Sequence, residues 1–235
     1  MISILSVNSN CLDWMRLLVA SARKFTQVPY EIIVIDNNSE DGSVQWLKEQ
    51  EEVKAIMLNR NIGHGMGLDL ALKNAGRRFC LVLDIDAHLQ REGWDSEFIA
   101  LYKSVPERRL IAAGGGEPKP IHPCFMFFER KFFLENKLSF IARDFHDVGR
   151  KIYYDITGLG YEILRIFSGY ESGGEKFYPG AFGDDYYLDG KPTVYHNWYA
   201  ARMWKKDEVD KYKKEDFKKD SKTLFDQPLV KEILG

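Results

Sequence analysis

The sequence predicts an α/β protein with a mainly parallel sheet and flanking helices, and three observations carry that reading. Over residues 1–115, short β-rich apolar runs alternate with helical periodicity, the pattern of βαβ units. The run at residues 80–83 is wholly apolar and that at 2–7 is apolar but for Ser3 and Ser6, as buried strands are. Polar residues then cluster in the loops that follow strands, where the carboxyl ends of a parallel sheet bind ligands.

Taken in order, residues 2–7 form a first strand. Leu12, Met15, Leu18, Val19 and Ala22 recur at helical spacing, with Asn10 or Asp13 placed to cap that helix. A second strand spans 31–35, with Asp36 just past its end. A short charged helix over 43–51, a strand over 53–58, a helix over 67–75 and a strand over 79–83 follow. The first part closes with a helix near 94–105 and a strand over 110–113. From Gly114 the pattern loosens through three glycines and three prolines into an aromatic run at 125–133. Residues 152–159 are helical and stop at Gly160, ahead of a strand over 161–166. Residues 168–192, rich in glycine, are expected to be an exposed loop. Residues 205–222 carry eight lysines against six acids, the composition of a solvated helix. The expected organisation is one domain with a ligand-binding half over 1–115, a second half over 116–204 and a charged helical segment over 205–235.

Composition excludes several classes. In 235 residues, 45% are hydrophobic and 29% charged, enough for a sizeable core and unlike disordered, collagen-like or coiled-coil chains. The net charge of -2 gives no global attraction to nucleic acid or anionic lipid. No apolar run approaches the roughly 20 residues of a membrane span, and no basic leader is evident, so the expectation is a soluble cytoplasmic protein. Three widely spaced cysteines, Cys11, Cys80 and Cys124, suit neither a disulfide framework nor a zinc site with paired ligands.

Chemistry concentrates at Asp84-Ile85-Asp86. Two carboxylates one residue apart at the end of an apolar strand repel unless a cation sits between them, and oxygen ligands favour Mg2+ or Mn2+ with a phosphorylated substrate. Asp36, after four apolar residues, is placed to accept hydrogen bonds from a ribose or base. Asn61-Ile62-Gly63-His64-Gly65 has glycines ahead of a helix but lacks the lysine and serine of a phosphate loop.

These residues resemble the family 2 glycosyltransferases, whose nucleotide-sugar fold is GT-A. The opening strand runs into Asn8-Ser9-Asn10, where the family has Thr-Tyr-Asn. The stretch from Tyr30 through Asp36-Asn37-Asn38-Ser39-Glu40-Asp41-Gly42-Ser43 is similar to the nucleotide-binding segment, the stretch from Asn59 to Lys73 to the Asn-x-Gly segment, and Asp84-Ile85-Asp86 to the metal motif. Further on, His122 to Arg130 looks like the strand and arginine before the acceptor site. Asp147-Val148-Gly149-Arg150 through Gly160-Tyr161 is similar to the Glu-Asp helix and Gly-Tyr turn, with His146 in place of the Glu. Val194 to Arg202 resembles the closing motif.

The resemblance implies roles. Val7, Asn8 and Ser9 line the base pocket, Asp36 contacts uracil or ribose, and Asn61 and Gly63 belong to the donor site. Asp84 faces ribose and sugar and is a further candidate metal ligand. Asp86 and His196 hold the metal, and Arg202 meets the diphosphate. Asp147 is the preferred base, with Asp185 and Asp184 as alternatives. The implied reaction is an inverting, metal-dependent transfer of a hexose-type sugar, from a UDP-sugar by preference, to a hydroxyl of a saccharide or protein. A hydroxylated DNA base is a rival acceptor, because Lys205, Lys206, Lys211, Lys213, Lys214, Lys218 and Lys219, with Tyr212 and Phe217, could track phosphates. A non-catalytic nucleotide-sugar binding module is the other alternative. A sugar nucleotidyltransferase is disfavoured, because its Gly-x-Gly-x-Arg signature does not follow the first strand.

Overall fold

The computed structural model describes residues 1–115, 120–142, 147–169, 177–178, 181–197 and 223–235. Its first half follows the alternation in the sequence: β1 (Ile2–Asn8), α1 (Leu12–Phe25), β2 (Tyr30–Asp36), α2 (Ser43–Lys48), β3 (Val53–Met57), α3 (His64–Asn74), β4 (Phe79–Leu83), β5 (Ala87–Leu89), α4 (Trp94–Ser104) and β6 (Arg108–Gly114). After it come β7 (Ile121–Glu129), α5 (Arg130–Glu135), α6 (Val148–Gly158), β8 (Glu162–Ile166), β9 (Gly183–Leu188), β10 (Lys191–Asn197) and α7 (Pro228–Leu234). The fold class is the expected one.

Seven strands form the main sheet in the order β3-β2-β1-β4-β7-β6-β8. Only β7 runs antiparallel to its neighbours, between β4 and β6. The sheet therefore continues across residue 115. Because side chains alternate along a strand, its apolar runs feed two cores. Ile4, Leu81 and Phe127 pack with α1, α4 and α7 around Trp14, Leu18, Trp94 and Phe98. Leu5, Val82 and Phe128 face the other way, onto Leu68 of α3, Phe133 of α5 and Ile152 and Ile156 of α6. Phe127 lies 5.3 Å from Phe79 in a stacked pair, and burying such a ring contributes about 1.5–3 kcal/mol. α7 closes the first core, with Phe225 just before it 4.9 Å from Trp14 and Glu232 2.9 Å from Lys24 of α1.

Several expectations are corrected. α1 is not capped by Asn10 or Asp13: Cys11 is its N-cap and its side chain makes no capping bond, while the Leu12 N–H donates to Asp41 Oδ2 at 2.8 Å. The cap comes from 29 positions away, and Asp41 Oδ1 also accepts from the Ser43 N–H at the start of α2. Asp36 is the last residue of β2 rather than just beyond it. α3 begins at His64, a turn before Gly67, because Asn61 Oδ1 takes the Gly63 N–H at 2.8 Å and sets the first turn in place.

Residues 168–192 are not simply an exposed loop. Gly183–Leu188 is a strand, paired antiparallel with β10 in a second, three-stranded sheet of order β5-β10-β9. The glycines concealed it, and its partners lie far away in sequence. Residues 170–176 and 205–222 lie outside the described residues.

Candidate functional site

The small sheet brings a distant histidine to the end of β4. The Asp84 N–H donates to the Cys124 carbonyl of β7 at 2.9 Å, and the Ala87 N–H to the Asp84 carbonyl at 2.9 Å, so Asp84 to Asp86 form a tight turn between β4 and β5. Ala87 pairs with His196 across β5 and β10, and the Asn197 N–H donates to the Asp86 carbonyl at 2.9 Å. That pairing sets His196 Nε2 3.4 Å from Asp86 Oδ1 and 3.9 Å from Asp84 Oδ2.

One donor atom each from Asp84, Asp86 and His196 lies within 4.8 Å of the others. Two carboxylates and an imidazole are a donor set that suits Mg2+ or Mn2+. His64, the first residue of α3, approaches from the other side, with Nε2 3.3 Å from Asp84 Oδ1. Burial opposes charge on Asp84, but His64, His196 and His122 outweigh it and hold the carboxyl at about 2. Burial lowers the affinity of His196 for a proton, yet Asp86, Asp84 and Asp184 raise it above the ordinary histidine value. The same contest raises His64, with Asp84 its main partner.

His122 and Cys124 of β7 form the remaining wall. The His122 ring lies 5.0 Å from that of His196, and burial together with the His196 charge lowers it to about 4. Cys124 is fully buried, and burial pushes its thiol well above the ordinary range. His122, Cys124 and His196 also offer three donor atoms within 4.8 Å of one another. His64 and Cys124 were missed as site residues in the sequence. His64 sits in a segment whose glycines carry the local signal, and the signal for Cys124 is its place two residues after His122.

The loops expected to bind a nucleotide are tied to each other. Asp36 is fully buried, and its Oδ1 accepts from Asn8 Nδ2 at 2.8 Å while its Oδ2 accepts from the Ser39 N–H at 2.9 Å. Asn8 is buried as well, and Val7 packs against Gly67 so closely that a Cβ there would lie 2.8 Å from Val7 Cγ2. Ser9 accepts from exposed Asn61 Nδ2 at 3.3 Å, and Gly63 bridges that loop to α3. These residues come together at the carboxyl ends of β1 and β2.

The three candidate bases separate. Asp147 is the N-cap of α6, its Oδ1 accepting the Arg150 N–H at 2.8 Å, and its charge reaches His122. On β9, Asp184 pairs with His196 and Asp185 with Tyr195. Opposed residues share a face, so Asp184 lies on the His196 side and Asp185 on the other. Asp185 is buried, accepting from Gln90 Nε2 at 2.7 Å and from the Phe177 N–H at 2.9 Å, and burial raises its carboxyl. Neither is a solvated loop tip. His146, Arg202 and the lysines from Lys205 to Lys219 lie outside the described residues. Among the described residues, no helix is long and apolar enough to cross a membrane.

The family described as Glycosyl transferase family 2 matches residues 3–150. No curated protein sequence matches the chain. Among solved structures, it is similar to the mannosyltransferase PcManGT from Pyrobaculum calidifontis in complex with GDP-Man and Mn2+, with a TM-score of 0.59 at 14% identity over 70% of this chain and 54% of that one. It is also similar to S. aureus TarS 1-349 in complex with UDP-GlcNAc, with a TM-score of 0.54 at 16% identity over 66% of this chain and 52% of that one. A second structure of TarS 1-349 gives 0.58 at 14% identity over 99% and 69%. The chain thus spans about half the length of the first two, and these likenesses concern the GT-A fold.

Proposed function

The chain belongs to glycosyl transferase family 2, and on that premise we propose that it moves a hexose-type sugar from a nucleoside diphosphate sugar, a UDP-sugar by preference, to a hydroxyl of a saccharide or protein, with inversion. The observation that carries the reading is the convergence of Asp84, Asp86 and His196 at the carboxyl end of β4, beside the loops after β1 and β2. The donor set fits a manganese or magnesium ion, and the GDP-Man with Mn2+ and the UDP-GlcNAc of the two similar structures support the choice of ligands. A cation held there supplies positive charge beside the departing diphosphate.

The chain's own residues do the rest. Asp86 and His196 provide ligands, and His64 orients Asp84, whose low proton affinity keeps it anionic at neutral pH. Val7, Asn8, Ser9 and Asp36 shape the nucleotide pocket, with Asn61 and Gly63 at its edge, and Arg202 meets the diphosphate. Asp147 accepts the proton of the acceptor hydroxyl as that oxygen attacks the anomeric carbon. A single displacement of this kind inverts the centre.

The test is release of nucleoside diphosphate from a panel of nucleotide-sugars, with Mn2+, Mg2+ or chelator. Slow metal-dependent hydrolysis of one donor, lost in Asp86→Ala, is the expected result. If no donor is hydrolysed and calorimetry detects no nucleotide-sugar binding, the proposal fails. Donor binding without turnover, unchanged in Asp147→Asn, would identify a binding module instead.

A further inference from the structure

We propose that His122, Cys124 and His196 form a second cation site, suited to a soft divalent ion such as zinc, which shares His196 with the Asp84–Asp86 pair and competes with it. His122 and Cys124 stand two residues apart on β7, and the Cys124 carbonyl is bonded to the Asp84 N–H at 2.9 Å. This end of β7 is therefore fixed beside the Asp84 turn. β10 delivers His196 to the same place, its ring 5.0 Å from that of His122.

The three donor atoms lie within 4.8 Å of one another. Zinc bonds of about 2.3 Å to sulfur and about 2.0–2.1 Å to nitrogen, at tetrahedral angles, set donor atoms roughly 3.3–3.6 Å apart. Side-chain rotations that close the triangle by at most about 1.2–1.5 Å suffice on that geometry.

Ligand softness separates the two sites. Thiolate and imidazole select zinc, whereas the carboxylates of Asp84 and Asp86 select magnesium or manganese. Binding at the sulfur site forms a metal–sulfur bond and releases the Cys124 thiol proton to solvent, with no change of oxidation state. The neighbouring Asp84 and Asp86 charges favour a cation in either position. A ligating imidazole carries its remaining proton on the other nitrogen, so His196 serves one cation at a time. Zinc at the sulfur site thus removes the histidine from the oxygen site. This competition rests on the oxygen-site reading above, whereas the sulfur site itself is detectable whether or not the chain transfers sugar.

Cobalt(II) is the probe, added to the reduced, metal-free full chain and followed by absorption. A near-ultraviolet thiolate-to-cobalt band is expected, displaced by zinc, kept in Cys11→Ser and Cys80→Ser, and lost in Cys124→Ser. If Cys124→Ser does not fold, half-buried His122→Ala decides, with the same loss expected. No thiolate band in the wild type, or a band that survives either substitution, overturns the site. In a second measurement, the electron paramagnetic resonance of free Mn2+ is followed as zinc is added. Zinc is expected to release Mn2+ from the wild type at a lower concentration than from His122→Ala, in which it competes only at the oxygen site itself. Equal release from both would overturn the competition while leaving the cobalt result, and the transferase assay, to stand separately.

Discussion

Acidification should loosen the strand pair that delivers His196, through a histidine that faces the core. His88 pairs with Tyr195 across β5 and β10, is fully buried between Tyr178 and Tyr195, and has Nε2 3.1 Å from the Tyr178 hydroxyl. Burial lowers it to about 3, against the ordinary 6.5. The folded chain keeps His88 neutral while the unfolded chain binds a proton below pH 6.5. Stability from this residue is therefore present above 6.5 and lost as pH falls towards 3. Between pH 7 and pH 5 the linkage amounts to about 2 kcal/mol, close to 1.4 kcal/mol for each unit below 6.5. His88→Phe preserves the aromatic packing and removes the titration. At pH 7 it should cost about 1–3 kcal/mol, because the Tyr178 hydroxyl loses a partner. Between pH 7 and pH 5 it should then lose about 2 kcal/mol less than the wild type. Urea unfolding at the two pH values measures both terms, and other titrating groups cancel in the comparison. Parallel losses in the two proteins would refute the claim that His88 is held neutral.

Two other outcomes follow from the geometry. Gly67→Ala places a Cβ 2.8 and 2.9 Å from the two γ-carbons of Val7, so it should cost about 1–3 kcal/mol in denaturant unfolding, and weaken nucleotide-sugar binding in calorimetry by displacing β1. Asp147→Asn should retain the α6 cap and its melting temperature but lose turnover with donor binding kept; Asp147→Ala should lose turnover and also about 1 kcal/mol of stability.

The parallel half of the fold was legible because each strand and helix there carries its own periodicity. β5 escaped notice: three residues, Ala87 to Leu89, hold no period, and only pairing with Val194 to His196 makes them a strand. β9 is hidden for a related reason, since Gly183 and the surrounding glycines signal a turn, while Asp185 and Tyr186 are buried on opposite faces of the strand, against Gln90 and Phe125. The Asp84–Asp86 pair stands out because two carboxylates one residue apart at a strand end pose an electrostatic problem within the local sequence. The problem posed by His64 and Cys124 exists only once α3 and β7 have been folded against β4. Asp41 makes the same point for stability, because a cap supplied from 29 positions away leaves no mark at the helix it caps.

The second sheet also sets an order of assembly. β1, β2 and β4 can pair as soon as the first 83 residues exist, whereas His196 lies 110 positions after Asp86 and reaches it only when β10 closes onto β5. Contacts of such separation close late and slowly. During synthesis the loops after β1 and β2 can therefore be in place while His196 is still unmade. Closure of β10 onto β5 therefore completes the candidate cation cluster late in folding, so a divalent ion bound there would slow unfolding more than it speeds folding.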